Sequence, residues 1–151
     1  MTYEETFDAA LEHLVPQAHR MGVRAVEVAP GRVVCRVPLE GNGNHLGTIY
    51  AGVLFTVAEV LGGALCMPSF DLARFYPVVK SLRIDFRKPA RSDVLAETSL
   101  PEDRIAEIAK TAEEHGKAEF TLHATLTDAD GIVVAATEGV YQLRAHKGTG
   151  A

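Results

Sequence analysis

The chain has 151 residues, of which 47% are hydrophobic and 23% charged, and its formal net charge is −5. This is ordinary globular usage, so we expect residues 1–151 to form a single domain and exclude a disordered or disulfide-stapled chain. The acidic balance argues against a dedicated nucleic-acid-binding protein, because phosphate contacts need clustered Lys and Arg residues.

The predicted elements begin with an amphipathic helix over residues 3–15, where apolar side chains recur at helical spacing before Pro16. Two alternating strands joined by Pro30-Gly31 follow. A long apolar run predicts a helix over 51–67, and a second helix at 101–115 follows the capping-box spacing of Ser99 and Glu102. The strands are expected at 22–29, 31–39, 77–88, 92–100, 117–128 and 132–144, with a flexible tail at 145–151.

The stretch from Leu46 to Phe70 is long and apolar but has one formal charge, Glu59, in its middle. A membrane-spanning helix needs about 20 apolar residues and tolerates a central Glu poorly. Four glycines and Pro68 interrupt this stretch further. We therefore expect a buried helix of a globular protein and no membrane partner.

About six strands with one long helix after the second strand predict an α+β fold and not βαβ units. The strands alternate apolar and polar residues, so one face of the sheet must be buried. The 51–67 helix is the only element apolar enough to cover that face. The expected architecture is an antiparallel sheet wrapped around one long central helix.

Glu59 is the residue that most needs an explanation. An unpaired buried carboxylate is costly, so this residue is expected to be exposed, paired, protonated or functional. An exposed helix stripe is the structural alternative. However, Gly52, Thr56 and Glu59 share one face of the predicted helix, and this small, polar face resembles the wall of a cleft.

The loop before the helix adds groups that suit acyl-transfer chemistry. Asn44 offers a side-chain amide, and the N–H groups of Ala51 and Gly52 in the first turn have no intrahelical acceptor. Such donors stabilise negative charge that develops on a carbonyl oxygen, and Gly52 leaves room for a substrate. A carboxylate two turns further along can activate water or attack the carbonyl directly. Tyr50 and Thr56 are the neighbouring candidates for substrate contacts.

Residues 44–59, NHLGTIYAGVLFTVAE, resemble the active-site segment of hotdog-fold acyl-CoA thioesterases of the phenylacetate-pathway type, in a branch of uncharacterised function. In that family an Asn opens the segment, a His-Gly-Gly triplet starts the helix, and an acidic residue follows the Asn by fifteen positions, as Glu59 follows Asn44. Similar pieces occur at 79–91 and 128–131. The His does not carry over, because this chain has Tyr50-Ala51-Gly52 at the triplet.

The resemblance implies a hydrolase of acyl-CoA thioesters with no cofactor beyond the coenzyme A of its substrate. It implies that Glu59 acts as general base or nucleophile and that the Ala51 and Gly52 amides bind the thioester oxygen. Asn44 would position water or the substrate. It also implies a homodimer or homotetramer in which each site is shared between two chains.

A basic segment, residues 74–91, supports a coenzyme A partner. It holds six basic residues and one acidic residue within an acidic protein. Clustered cations of this kind can bind the phosphates of a nucleotide, and Arg87, Lys88 and Arg91 are the candidates. The alternative is a solvated strand edge, where Lys and Arg prevent edge pairing.

Two other functions stay open at this point. The missing His motivates a non-catalytic hotdog protein that binds acyl ligands. A dehydratase or hydratase of 3-hydroxyacyl thioesters would use His45 together with Glu59. The remaining His residues lack ligand spacing, so no metal site is expected. Cys35 and Cys66 lie in apolar segments and the N-terminus is no signal peptide, which favours a reducing, cytoplasmic location.

Overall fold

The computed structural model describes residues 1–148, which form five α-helices and one six-stranded antiparallel sheet. This confirms the predicted α+β hotdog architecture. Residues 149–151 of the predicted tail lie outside the described part. The elements are α1 (Tyr3–Leu14), α2 (Pro16–Arg20), β1 (Arg24–Ala29), β2 (Arg32–Val37), α3 (Ala51–Glu59), α4 (Leu61–Ser69), β3 (Phe75–Phe86), β4 (Val94–Ser99), α5 (Glu102–His115), β5 (Lys117–Thr127) and β6 (Val133–Ala145).

The sheet has the strand order β1-β2-β4-β5-β6-β3, so β1 and β3 form its two edges. The central helix, α3 and α4 together, packs on the sheet and contacts all six strands. Phe120, Leu122 and Leu126 of β5 point into the core, as their alternation predicts. By length and composition Ala51–Ser69 could cross a membrane, but 56% of its apolar window is buried inside the protein. It is therefore the core helix that the sequence predicts.

The central helix is interrupted at Val60, where the sequence predicts one continuous helix over 51–67. The Tyr141 hydroxyl donates a hydrogen bond to the Glu59 carbonyl at 3.2 Å. The Tyr141 ring lies against Gly62 and Gly139, in space that a side chain at either position would occupy. A side chain inserted into the helical hydrogen-bond ladder is a known cause of a break. We attribute the interruption to Tyr141.

Other local predictions need correction at the ends of the helices. Pro16 was expected only to end the first helix, but it also begins α2, since proline suits the first helical position. The capping box predicted from Ser99 and Glu102 is wrong: Pro101 is the N-cap of α5 and makes no side-chain cap bond. Gly116 ends α5 in the left-handed region, with φ of 76°, as its position predicts.

The predicted flexible tail begins too early. β6 continues to Ala145, and the His146 N–H donates to the Arg74 carbonyl at 2.9 Å. The alternation predicted for 77–88 holds only in part, because Phe86 is 53% exposed. It lies on the edge strand β3, where the sheet covers it from one side only.

Helix α1 covers the outer edge of β1 through two carboxylates. Glu4 accepts a hydrogen bond from the Val28 N–H at 2.8 Å, and Asp8 accepts one from the Ala25 N–H at 2.8 Å. These N–H groups would otherwise face outward from an edge strand. Phe7, on the adjacent face of the helix, is buried. The carboxylates therefore fix α1 against the sheet.

We expect Glu4→Gln to lower Tm at neutral pH but not in acid. The Val28 N–H holds the pKa of the Glu4 carboxyl below its usual value. A lowered folded-state pKa adds stability above the unfolded value of about 4.3, and this stability is lost as the pH falls through the folded value. The Tm difference from wild type should therefore close between pH 7 and about pH 3.

Glu12→Gln is the matched control, because Glu12 is an exposed carboxylate on the same helix. Thermal unfolding followed by circular dichroism measures both variants. A Tm difference for Glu4→Gln that persists in acid, or an equal loss in Glu12→Gln, would contradict the assigned role of the Glu4 carboxylate.

Candidate active site

Two cavities meet at Glu59. The first, which we call the apolar cavity, has a volume of about 300 Å³ and lies between α1, the central helix, β3 and β6. The second, the edge cavity, has a volume of about 350 Å³ and lies between α3 and the edge strand β3. Glu59 and Val79 line both. The carboxyl group predicted to be functional therefore lies at the junction of two spaces that a substrate could fill.

The environment of Glu59 favours its protonated form. Glu59 is half-buried, and burial raises the pKa of its carboxyl. It is the one charged residue among those described in the wall of the apolar cavity. Within residues 1–148, no ion pair includes it. A carboxyl with a raised pKa is a better general base near neutral pH than an ordinary surface Glu.

Tyr141 holds the helix at this carboxyl. Its hydroxyl is bonded to the Glu59 carbonyl, and its ring stacks on Phe120 with 5.9 Å between ring centroids. Burial, and secondarily the charge of Glu59, raises the pKa of Tyr141, so the hydroxyl stays a donor. Nothing local in the sequence marks Tyr141 as part of the site, because its partner lies 82 positions away.

The first turn of α3 provides the expected backbone donors. The Tyr50 carbonyl accepts hydrogen bonds from the N–H groups of Val53 and Leu54 at 2.9 and 3.3 Å. Ala51 and Gly52 precede them, and N–H groups at these positions lack intrahelical acceptors. Ala51 is exposed. The amide of Ala51 is therefore accessible at the beginning of the helix.

Gly52 has a different neighbour from the one expected. The Tyr50 ring lies against it, at the place where a side chain on Gly52 would be. This ring occupies the space at Gly52 that was expected for a substrate. Tyr50 as a whole is 58% exposed. Thr56 lines the edge cavity, and its hydroxyl donates to the Gly52 carbonyl at 2.8 Å.

Asn44 shapes the loop that leads into α3. Its side-chain oxygen accepts from the N–H groups of Leu46 and Thr48 at 2.9 and 3.2 Å. Its amide donates to the Thr48 hydroxyl at 2.9 Å. These bonds use the side-chain oxygen and one of the two N–H groups of the amide. They hold the loop in place, and His45 beside Asn44 is exposed.

A second asparagine, Asn42, was not predicted as a candidate. It is buried, and its side-chain amide donates to the carbonyls of Met21 and Pro38 at 2.6 and 2.8 Å. Its main-chain carbonyl accepts from the Tyr50 N–H at 2.9 Å. Residues 41–44, GNGN, are turn formers, and such a cluster predicts only irregular structure and no buried side chain.

The basic segment divides into two groups. The Ile49 N–H donates to the Ala90 carbonyl at 2.9 Å, which ties residues 87–91 to the chain just before α3. Arg87, Lys88 and Arg91 are exposed in this region, near the positive end of the helix dipole. The other three cations pair with carboxylates at 2.9 to 3.4 Å: Lys80 with Glu119, Arg83 with Asp85 and Arg74 with Glu113.

The two halves of the predicted site are far apart in one chain. Ala51 and Glu59 are eight residues apart on an unbroken helix, which separates them by about 12 Å along the axis. One thioester carbonyl needs its oxyanion donors and its base each within about 3 Å of their target atoms. A glutamate side chain leans toward the N-terminus of its helix, and a general base acts through a water molecule, so both shorten this span. The axial separation is therefore compatible with a site within one chain and with one shared between two chains.

Comparisons with known proteins agree with this architecture. Residues 4–141 match a family described as a domain of unknown function, DUF4442. One similar structure is PA5026 from Pseudomonas aeruginosa, a protein of unknown function described as a probable thioesterase. Its sequence is 46% identical to this chain, and the match covers 94% of this chain and 96% of PA5026. The two structures superpose with a TM-score of 0.87. No curated protein matches the chain.

More distant structures show the same fold. Thioesterase HI1161 from Haemophilus influenzae has 11% identity and a TM-score of 0.74, over 96% of this chain and 92% of its own. A protein of unknown function from Chlorobaculum tepidum has 18% identity and a TM-score of 0.83, over 95% and 94% of the two chains. The match over residues 4–141 and the high identity to PA5026 establish the family. The chain belongs to the DUF4442 family and has the hotdog fold.

Proposed function

We propose that the protein hydrolyses acyl-CoA thioesters to a free acid and coenzyme A, in sites that two copies of the chain form together. The observation that carries this proposal is the position of Glu59, a half-buried carboxyl at the junction of two cavities. The similarity to PA5026, described as a probable thioesterase, supports the class of reaction. The buried free thiols Cys35 and Cys66 are consistent with a reducing, cytoplasmic location.

In the proposed mechanism Glu59 acts as general base on water or attacks the thioester carbonyl itself. The Ala51 and Gly52 amides of the partner's α3 stabilise the oxyanion. Asn44 acts indirectly, since it holds the loop that positions these amides. Thr56 and Tyr50 contact the substrate beside these groups.

The edge strand β3 offers a way to assemble such a site. Among residues 1–148 no strand lies beside its outer edge, so the backbone groups there are open to pairing, and the strand lines the edge cavity next to Glu59. Val79 of this strand is 42% exposed and Phe55 of α3 is 39% exposed. Pairing of two β3 edges around a two-fold axis would cover these side chains. It would also supply the second α3 that a shared site needs.

The phosphates of coenzyme A are proposed to bind at Arg87, Lys88 and Arg91. These cations are exposed beside the beginning of α3. The dipole of α3 adds a favourable field for an anion at this end. The pantetheine arm of coenzyme A separates its phosphates from the thioester carbonyl, so this contact contributes to binding and not to the chemical step.

A non-catalytic acyl-CoA-binding protein is the second candidate. The Tyr50 ring against Gly52 favours it, because the ring occupies the space at Gly52 that was expected for a substrate. Release of free thiol from a panel of acyl-CoA substrates separates the two candidates directly.

We expect Glu59→Gln to lower kcat by at least about a hundredfold, the low end for removal of a general base. The fold should stay intact, and Tm should stay level or rise, because a half-buried functional carboxyl costs folding energy. In the wild type, kcat/KM should fall as the pH drops through the raised pKa of Glu59, above the range of an ordinary Glu. Glu114→Gln on the exposed face of α5 is the control. Turnover near the wild-type rate in Glu59→Gln would refute the mechanism.

Charge reversal in the exposed part of the basic segment should raise KM and leave kcat nearly unchanged. We expect this for Arg87→Glu, Lys88→Glu and Arg91→Glu with acyl-CoA, because remote phosphate contacts bind ground and transition states alike. Added salt should raise the wild-type KM through screening. The matched control is Lys110→Glu on α5. An acyl thioester of N-acetylcysteamine, which lacks the nucleotide, should show no change of KM; an equal rise with both substrates would contradict the phosphate contact.

The shared site is tested by hybrids of two inactive variants. Ala51→Pro removes the first amide of α3, where proline is tolerated, and the extended backbone of Tyr50 suits a residue before proline. We expect it to lower kcat by about a hundredfold or more. When Ala51→Pro chains are mixed with an equal amount of Glu59→Gln chains, half of the dimers that form at random are hybrids, and each hybrid has one intact site of two. The mixture should therefore recover about a quarter of the wild-type activity. Verified hybrids without recovery, or an active monomer by light scattering, would exclude shared sites.

A further inference from the structure

We infer that the apolar cavity beneath α1 holds the acyl chain, so that the substrates are thioesters of straight aliphatic acids of medium length, and that Gly63 sets the depth of this pocket. The inference rests on the proposed function and names the substrate class of the same site. It assigns a specific role to α1, which otherwise only covers the edge of β1.

The chemistry of the wall selects an aliphatic chain. Helix α1 contributes Phe7, Leu11 and Leu14, and the central helix contributes Gly63 and Met67 on the opposite side. Glu59 is the one charged group described in the wall, and it lies at the end shared with the edge cavity. A ligand that fits must be apolar along its length and carry its reactive polar group at Glu59. An acyl thioester has this distribution of polarity.

The arrangement of the two cavities fixes the direction of the substrate. The carbonyl carbon must lie at Glu59, so the acyl chain and the thiol must leave in different directions. The apolar cavity takes the chain. The edge cavity, lined by Thr56, Lys80 and Ser81, offers polar groups to the amides of the pantetheine arm.

The volume indicates the length of the chain. The apolar cavity measures about 300 Å³, whereas a dry cavity of about 150 Å³ accommodates benzene with its six carbons. In proportion, the cavity holds roughly eight to twelve carbon atoms. A single aromatic ring would leave about half of it empty.

Gly63 lies one turn beyond Glu59, is exposed, and has open space where a side chain would be. A Cβ placed on it would have no atom within 4 Å, in contrast to Gly62, where the Tyr141 ring would collide. Gly63 also lines the apolar cavity. A larger side chain at position 63 therefore fills the pocket without displacing its neighbours, and glycine at this position leaves the pocket deep.

The test measures binding and does not depend on hydrolysis. S-alkyl-CoA thioethers with chains of two to fourteen carbons cannot be hydrolysed, and calorimetry gives their Kd for the wild-type protein. We expect Kd to fall by about fourfold for each added methylene until the cavity is full, and then to level off at about eight to twelve carbons. A Kd that does not depend on chain length would overturn the inference.

Two variants should move this levelling point in opposite directions. Gly63→Leu adds four carbon atoms to the pocket, so Kd should level off at an alkyl chain about four carbons shorter. Met67→Ala removes three side-chain atoms, so Kd should level off at an alkyl chain about three carbons longer. Ala106→Leu adds similar bulk on the exposed face of α5 and should leave the whole series unchanged. An unmoved levelling point in Gly63→Leu and in Met67→Ala, both checked for native circular dichroism, would overturn the inference.

The same series separates this inference from the proposed function. If Glu59→Gln keeps wild-type turnover while the chain-length series behaves as expected, the mechanism fails and the acyl pocket stands. If hydrolysis follows the expected mechanism but Kd ignores chain length, the apolar cavity has another occupant, such as a second copy of the chain, and the inference is wrong.

Discussion

The candidate site depends on a part-buried hydrogen bond from the Tyr141 hydroxyl to the Glu59 carbonyl. A buried hydroxyl needs a partner, and here it takes one from the ladder of the central helix. The ring can approach because Gly62 and Gly139 lack side chains on either side of it. The central helix is interrupted at the next residue, Val60. The break thus occurs where the carboxyl of Glu59 faces both cavities, and Tyr141 links the geometry of that carboxyl to β6.

The two edge strands of the sheet differ in what lies beside them, so the two sides of the molecule differ as well. On β1, the carboxylates of Glu4 and Asp8 occupy backbone N–H groups and hold α1 in place. The same helix then closes one wall of the apolar cavity. On β3 the outer edge has no strand beside it within residues 1–148. The covered edge contributes one wall of an apolar pocket, whereas the open edge next to Glu59 offers a surface to a second copy.

The sequence was most informative where a pattern is local and repeated. The alternation of apolar and polar residues predicted the bounds of all six strands to within about two residues. The length of the apolar run at 51–67 predicted the position of the central helix. An isolated charge in that run marked Glu59. The failures concern contacts between distant residues: the break at Val60 depends on Tyr141, which no window around the helix contains. Asn44 was recognised by type, but residue type does not reveal the hydrogen bonds that its side chain makes within its own loop.

The burial of Glu59 connects the proposed acyl pocket with the proposed chemistry. Partial burial already raises the pKa of its carboxyl, because the apolar wall solvates the charged form poorly. In the proposed complex an acyl chain would displace water from that wall and desolvate the carboxyl further. A longer acyl chain would therefore bind more tightly. It would also make the deprotonated Glu59 carboxylate a stronger base beside the carbonyl that the chain positions. A carboxyl fully exposed on the helix would gain neither effect, and one fully enclosed would stay protonated and could not accept a proton from water.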